Sequence, residues 1–275
     1  MKIEIHYNYL ERFISQIQAE GRLSFSLTEL TKHFSSQSNT ALKHALNRLK
    51  KKNKIVSVYK GFYLIIPPEY SKRKILPPEL FIDALFKYLN RPYYIALASA
   101  AALYGAAHQK ILVTSVIISK PPLRSTKGEN IFINYIVKSN FPANGIQQLK
   151  TETGFINVSS PELTVIDLVL YNYHVGSFER VIQIIYQLSD AISQNNMKML
   201  IKSIDIPIAV LQRLGFIFDL IELSELSAVV YDFLSNNKLR NVPLHPSSNK
   251  NKLNDLEVNH KWKIIVNLDL QLELE

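Results

Sequence analysis

The chain has 275 residues, 47% of them hydrophobic and 20% charged, a balance typical of folded proteins and a length that favours two domains. It contains no cysteine, which excludes disulfides, thiolate zinc sites and thiol nucleophiles. The whole net charge of +9 lies in residues 1–74, where 14 Lys and Arg oppose 5 Asp and Glu, because residues 75–275 carry 18 of each. A cationic segment of this kind attracts polyanions through a long-range field.

Two stretches of the sequence bear on location. Glu4, His6 and Asn8 interrupt the apolar run that a signal peptide needs, so we expect a cytoplasmic protein. Residues 92–109 lack charge over 18 positions, which is close to the length of a membrane span. They are mostly Ala, Ser, Gly and Tyr, and this composition favours a closely packed helix without membrane association.

The first quarter of the chain has the pattern of a winged helix-turn-helix module. The predicted elements are, in order, a helix over 8–19, an extended piece over 22–27, a helix opening at Thr28, a helix from Ser38 or Asn39 to about Lys52, and strands over 55–59 and 62–66. The two strands are joined at Lys60-Gly61. Three helices closed by a hairpin are the winged variant of helix-turn-helix.

The third predicted helix is the candidate recognition helix. Its apolar residues recur at i, i+3, i+4 and i+7 and fix one face, which leaves a polar face for a partner. Asn and Gln can bond adenine edges, Lys can donate to guanine, and the later cations, with Lys50, Lys52 and Lys54, would meet phosphates. The predicted DNA-binding residues are Gln37, Asn39, Thr40, Lys43, His44, Asn47, Arg48, Lys51 and, at the hairpin tip, Lys60. The alternative is a solvated basic helix end, since cations there also favour the helix dipole.

Prolines bracket a basic connector and suggest the domain limits. Pro67-Pro68 and Pro77-Pro78 stiffen the chain around Lys72–Lys74. We therefore predict a winged helix-turn-helix domain over 1–70, a linker over 71–78 and a C-terminal domain over 79–275. The expected fold class is α+β, with a small sheet packed with helices in the larger domain.

The predicted elements of the C-terminal domain follow the same periodicity rules. They are helices over 79–90, 93–107, 161–173, 177–190, 191–201, 207–221 and 224–235, strands over 112–119, 131–137, 148–151, 155–158 and 263–266, a polar loop over 245–260 and a last strand through the alternating leucines Leu268–Leu274. The loop over 119–128 carries Lys120, Arg124 and Lys127, which form a secondary basic candidate. A solvated hairpin tip explains it equally well.

The sequence gives little support for an enzyme. Its 8 glycines are isolated, so no phosphate-cradling loop can be assembled, and its histidines form no metal-binding pair. No Asp-x-Lys or Glu-x-Lys occurs, and Glu162 and Asp167 point about 140° apart on one helix. We expect no catalytic residue, no metal and no cofactor.

Several motifs in order along the chain resemble the antitoxin AbiEi of the bacterial abortive-infection AbiE system. These are Gly61-Phe62-Tyr63 with Pro67, Tyr93-Tyr94 leading to the run Ser99–His108, Lys150-Thr151 with Gly154, Ser159–Thr164 with Asp167-Leu168, and Trp262–Asn267. The resemblance implies a two-domain cytoplasmic protein encoded beside a nucleotidyltransferase-like toxin. Such proteins repress their own operon by binding inverted repeats through the winged helix. The resemblance places the recognition-helix role here at positions 37–48 and the wing at 59–62.

The resemblance also implies how the C-terminal domain acts. In the family this domain counters the toxin in a type IV, phage-defence system without needing a stable complex. From helix-turn-helix geometry we expect two copies, as a dimer or as cooperating monomers, to occupy two half-sites. Two alternatives from other classes remain. One is a winged-helix protein-interaction module that does not bind DNA, and the other is a DNA-acting enzyme with a site assembled from scattered residues.

Overall fold

The computed structural model describes residues 9–106, 111–128, 130–246 and 255–269. The described chain has a mixed α+β fold, as predicted. It divides into two compact units. The first comprises the chain up to Tyr94 with Leu112–Lys138 and Gln148–Asn157, and the second comprises Ile95–Ile111, Ser139–Gln147 and the chain from Val158. The predicted domain limits at 1–70, 71–78 and 79–275 stay a prediction.

The first unit begins with a winged helix. Its elements are α1 (Tyr9–Ala19), β1 (Ser24–Ser26), α2 (Leu27–His33), α3 (Asn39–Lys51), β2 (Ile55–Tyr59) and β3 (Phe62–Ile65). The strands form an antiparallel sheet in the order β1-β3-β2. Apolar side chains from every one of these elements share one core, which includes Phe13, Phe25, Leu30 and Leu46. Burying this core fixes α3 with its opposite side facing outward.

Capping residues set where the helices of this module begin. Ser26 and Glu29 form a capping box at α2, since the Ser26 hydroxyl accepts from the Glu29 amide at 3.0 Å and the Glu29 carboxylate accepts from the Ser26 amide. Ser38 caps α3 by accepting from the Ala41 amide at 3.1 Å. The sequence allows either Ser38 or Asn39 as the N-cap of this helix, and in the structure the cap is Ser38.

A six-stranded sheet follows, with the strand order β6-β7-β5-β4-β9-β8. The elements of this region are 3₁₀ turns at Pro68–Tyr70 and Pro78–Leu80, then α4 (Ile82–Leu89), β4 (Tyr93–Ile95), α5 (Leu97–Leu103), β5 (Thr114–Ile118), β6 (Thr126–Gly128), β7 (Ile131–Val137), β8 (Ile146–Thr151) and β9 (Gly154–Ser159). β5 and β7 pair in parallel over five residues, and β6 pairs antiparallel with β7.

Two expectations about this region are wrong. The helix predicted over 93–107 begins with strand β4, because the buried, aromatic and β-branched run Tyr93–Ile95 pairs within the sheet before α5 starts. The segment 119–128, predicted as a loop, contains strand β6, so Lys127 lies in a strand and not at a hairpin tip. The pairing with β7 imposes this strand, since its sequence Thr-Lys-Gly has little strand preference of its own.

Helices dominate the remainder of the second unit. They are α6 (Pro161–Leu170), α7 (Phe178–Gln187), α8 (Gln194–Ser203), α9 (Ile208–Leu220) and α10 (Ser224–Leu234), followed by β10 (Val242–Pro243), β11 (Val258–Asn259) and β12 (Ile264–Ile265). The strand predicted through Leu268–Leu274 lies outside the described residues from Leu270 onward. Within the part that the structure describes, no helix combines the length and the apolarity that crossing a bilayer requires.

Candidate nucleic-acid interface

The outward face of α3 collects the predicted DNA-binding residues. Leu42, Ala45, Leu46 and Leu49 are buried on the inner side. The residues of the outer side recur four and eight positions apart and are all exposed, namely Asn39, Thr40, Lys43, His44, Asn47, Arg48 and Lys51. Gln37, in the turn before the helix, is exposed as well. A helix of 13 residues is about 20 Å long, enough for its first turns to enter a major groove while the last turn lies over the backbone.

Ion pairs elsewhere in the winged helix hold its acidic side chains. Glu11 on α1 pairs with Lys54 at 3.0 Å and with Lys52 at 3.8 Å. The hydrogen bond from Lys54 is the main reason that the pKa of Glu11 lies below its ordinary value. Lys52 and Lys54, expected from the sequence to meet phosphates, are thus turned toward α1.

Two further acidic side chains of the winged helix, Glu20 and Glu29, pair with Arg22. Arg22 lies 2.7 Å from the carboxylate of Glu29 and 3.8 Å from that of Glu20. Among the described residues, no carboxylate lies within ion-pair distance of Lys43 or Lys51. Lys43 and Lys51 therefore keep positive charge on the outer face of α3 that no described carboxylate pairs with.

The wing is the hairpin of β2 and β3, with Lys60 exposed at its tip. A tyrosine from α4, Tyr88, contacts this tip: its hydroxyl donates to the Lys60 carbonyl at 3.1 Å. Sequence reasoning missed Tyr88, because no local pattern links residues that lie 28 positions apart.

The secondary basic candidate lies beside the connector. Lys120, Arg124 and Lys127 are exposed, and the amine of Lys127 lies 4.8 Å from the ring centre of Phe132, its partner across the β6–β7 pair. The side chain of Asn130 donates to the carbonyl of Arg73 at 3.0 Å. This bond brings the β6–β7 hairpin to the connector Lys72–Lys74, so two cationic segments that are separate in sequence become neighbours.

The motifs Ser99–His108 and Ser159–Thr164, singled out in the sequence, contribute to a hydrogen-bonded cluster in the second unit. The hydroxyl of Tyr104 donates to the Ser159 carbonyl at 2.8 Å and accepts from Gln147 at 2.5 Å. The pKa of Tyr104 is raised by burial. The Ser159 and Thr164 hydroxyls lie 2.6 Å apart. These contacts join the α5 end, β9 and the start of α6 into one structure.

The buried carboxylates of α6 fit a structural role. Glu162 is 2% exposed and accepts from the Ser193 amide at 2.9 Å, so it fastens the segment before α8. Asp167 is completely buried on the same helix. Among the described residues, no group of three His, Asp or Glu side chains is arranged to hold a metal ion.

A comparison with known protein families matches the part of the chain that contains the hydrogen-bonded cluster around Tyr104 and Ser159. Residues 94–220 match the profile of the family described as AbiEi antitoxin C-terminal domain. Residues 94–220, called the AbiEi segment below, are therefore similar to an AbiEi antitoxin C-terminal domain. The AbiEi segment contains the motifs around Tyr104, Ser159 and Asp167 that the sequence singled out.

A solved structure extends the comparison beyond the AbiEi segment. The crystal structure of the Rv2827c protein from Mycobacterium tuberculosis superposes with a TM-score of 0.67 over 96% of this chain and 92% of that chain, at 14% sequence identity. At this identity the match shows a shared fold. None of the proteins with curated descriptions matches the chain.

Proposed function

We propose that this protein is an antitoxin that represses transcription of its own operon. The observation that carries the proposal is the exposed polar stripe of α3 on a winged helix that precedes a segment similar to the AbiEi antitoxin C-terminal domain. Within this stripe, no described carboxylate lies within ion-pair distance of Lys43 or Lys51. The winged helix enters DNA through α3, reads inverted repeats in the promoter and excludes polymerase. Two copies occupy the two half-sites.

The roles along α3 follow from its position on a duplex. Asn39 and Lys43 lie in the first two turns and read base edges, together with Gln37, Thr40 and His44. Asn47, Arg48 and Lys51 lie further along and contact phosphates, and Lys60 contacts the backbone or a minor groove from the wing. Lys120, Arg124 and Lys127 are secondary contacts to flanking DNA.

The second part of the proposal concerns the toxin. The AbiEi segment supports a role in countering a partner toxin, which we propose to be nucleotidyltransferase-like, in an abortive-infection system that defends against phage. Neutralisation proceeds without a stable complex. The protein works in the cytoplasm, where its promoter lies, and has no catalytic activity and no cofactor. A toxin of this class encoded next to the gene is the expected observation.

DNA binding by variants of the full chain tests the first part. We expect tight binding to a labelled duplex from the gene's own upstream region and weaker binding to a shuffled duplex of equal length. Asn39→Ala and Lys43→Ala should reduce the preference for the promoter by about 1–3 kcal/mol each, or roughly 5- to 150-fold. Lys51→Ala should weaken both duplexes equally, since it removes a phosphate contact.

Lys52→Ala is the matched control, because this lysine adjoins Lys51 but pairs with Glu11. It should weaken binding less than Lys51→Ala does. Loss of affinity for both duplexes in every variant would show that the base-reading residues are wrongly assigned. A wild-type chain that binds neither duplex would favour the protein-interaction module, and metal-dependent cleavage of either duplex would favour the enzyme.

A further inference from the structure

The tip of the wing has a backbone that only glycine adopts easily. Gly61 has a φ of +76°, in the left-handed region. A Cβ placed on it would lie 2.7 Å from the hydroxyl oxygen of Tyr88, closer than such atoms can approach. The hairpin therefore turns directly under the Tyr88 hydroxyl.

Tyr88 holds this turn with its hydroxyl and with its ring. The hydroxyl donates to the carbonyl of Lys60 at 3.1 Å. The ring lies 5.5 Å from the ring of Phe62 and 6.4 Å from that of Tyr59, measured between centroids. Tyr88 thus contacts the residues on both sides of the tip.

The same turn is bonded to the helix-turn-helix. The amide of Leu27, the first residue of α2, donates to the carbonyl of Gly61 at 2.7 Å. Ser57 bonds to both residues that flank the turn, because its hydroxyl donates to the carbonyls of Tyr59 and Phe62. Lys60-Gly61 is therefore a junction that connects α4 to the start of α2.

The exposure of Tyr88 argues against a role in filling the core. Tyr88 is 38% exposed, so it lies at the surface and does not belong to the buried core. Its contacts concentrate on Lys60 and its neighbours, which fits a role in positioning the hairpin tip.

We propose that Tyr88 is a positioning residue that fixes the wing, and with it Lys60, for binding to DNA. This inference rests on the proposed function. The clamp holds the Lys60 backbone before DNA arrives, so the lysine loses less conformational freedom on contact with a phosphate. Without the clamp, the tip samples more conformations, and the hydrogen bond from the Leu27 amide to the Gly61 carbonyl opens more often.

The experiment compares Tyr88→Phe, which removes the hydroxyl alone, with Tyr88→Ala, which removes the ring as well. Tyr186→Phe and Tyr186→Ala are the matched controls, since Tyr186 on α7 is 36% exposed. The first readout is hydrogen exchange of the Leu27 amide and of the hairpin amides in the free full chain. Exchange should become about 2- to 10-fold faster in both Tyr88 variants, the effect of losing one hydrogen bond, and should not change in the controls.

The second readout is Kd for the promoter duplex, alone and combined with Lys60→Ala. Tyr88→Phe should weaken binding about two- to threefold and Tyr88→Ala about 5- to 10-fold. Neither should weaken it further once Lys60 is alanine, because the clamp acts through Lys60. A general structural defect would instead add to the loss in the double variant.

The outcomes separate the inference from the function on which it rests. Unchanged exchange at Leu27 and in the hairpin overturns the clamp whatever the DNA result. Faster exchange with unaltered Kd, or additive losses with Lys60→Ala, overturns the positioning role while leaving DNA binding intact. A wild-type chain that fails to bind any duplex overturns the proposed function, and the exchange result then still decides the clamp.

Discussion

At the scale of single residues, Gly215 packs directly against Trp262 in the second unit. A Cβ on Gly215, in the middle of α9, would lie 2.2 Å from a ring carbon of Trp262, which is fully buried. Two hydrogen bonds hold Trp262 in place, because its ring N–H donates to Asp219 at 2.5 Å and its backbone carbonyl accepts from Gln212 at 2.7 Å. Glycine in the middle of α9 is therefore explained by packing.

Gly215→Ala should destabilise the protein. Alanine in a helix interior is normally favoured over glycine by about 1 kcal/mol. Overpacking a filled core usually costs about 1–3 kcal/mol, and here three ring carbons lie within 2.6 Å of the added atom. We expect the steric cost to exceed the gain in helix propensity and the free energy of unfolding to fall by up to about 2 kcal/mol in urea titration.

Trp262→Leu provides the control for that prediction, because it removes the ring that the methyl group would strike. In the Trp262→Leu background, Gly215→Ala should be neutral or stabilising. A Gly215→Ala single variant that is more stable than the parent would show that α9 can shift away from the indole.

At the scale of elements, the cap of α3 links local structure to the proposed interface. The Ser38 hydroxyl accepts from the Ala41 amide, and Asn39 and Thr40 lie in the turn that this bond holds. Ser38→Ala leaves the amide without its partner and should lower the free energy of unfolding by about 1 kcal/mol. Affinity for the promoter should fall too, since the first turn of α3 frays.

Ser36→Ala, in the exposed turn before α3, is the comparison for Ser38→Ala. It should leave both unfolding and Kd unchanged. Equal effects of the two substitutions would mean that the cap contributes nothing to α3, and a stability loss without any change in Kd would separate the first turn from DNA binding.

The elements differ in how well the sequence predicts them, and the reason is the range of the interactions. The winged helix follows from local signals, because Ser38 caps α3 and Leu42–Leu49 repeat at helical spacing. β4 does not, since the apolar run Tyr93–Ile95 beside an alanine-rich segment also suits a buried helix, and only pairing in the sheet decides. The contact between Gly215 and Trp262 likewise cannot be predicted from local sequence patterns, because the two residues lie far apart in the chain.

The same distinction applies to the candidate interface. Periodicity alone predicts which residues of α3 share the outer face. It does not predict that Glu11 holds Lys54, 43 positions away, or that Tyr88 holds Lys60. The sequence therefore predicts the face, while its effective charge and the position of the wing depend on tertiary contacts.

At the scale of the whole molecule, the net positive charge of the first compact unit exceeds that of the first quarter of the sequence. The residues of the first unit include 21 Lys and Arg against 9 Asp and Glu, a net charge of +12, whereas the second unit has 11 against 14, a net charge of −3. The first unit is more positive than residues 1–74 because it includes the segment Leu112–Lys138, which contributes Lys120, Arg124 and Lys127. The electrostatic field that attracts a polyanion therefore belongs to the first unit as a whole.

Salt should weaken promoter binding steeply, because each neutralised phosphate releases condensed counterions. If Arg48, Lys51 and Lys60 each neutralise one phosphate, the slope of log K against log salt concentration is about −3 or steeper, at roughly −0.9 per contact. Titrations between low and physiological salt measure it. Lys51→Ala should make the slope shallower by about one, while Lys198→Ala and Lys202→Ala, exposed lysines of α8 in the second unit, should not alter it. A flat response in the wild type, or an equal change on removing the α8 lysines, would show that the cationic unit does not bind the DNA backbone.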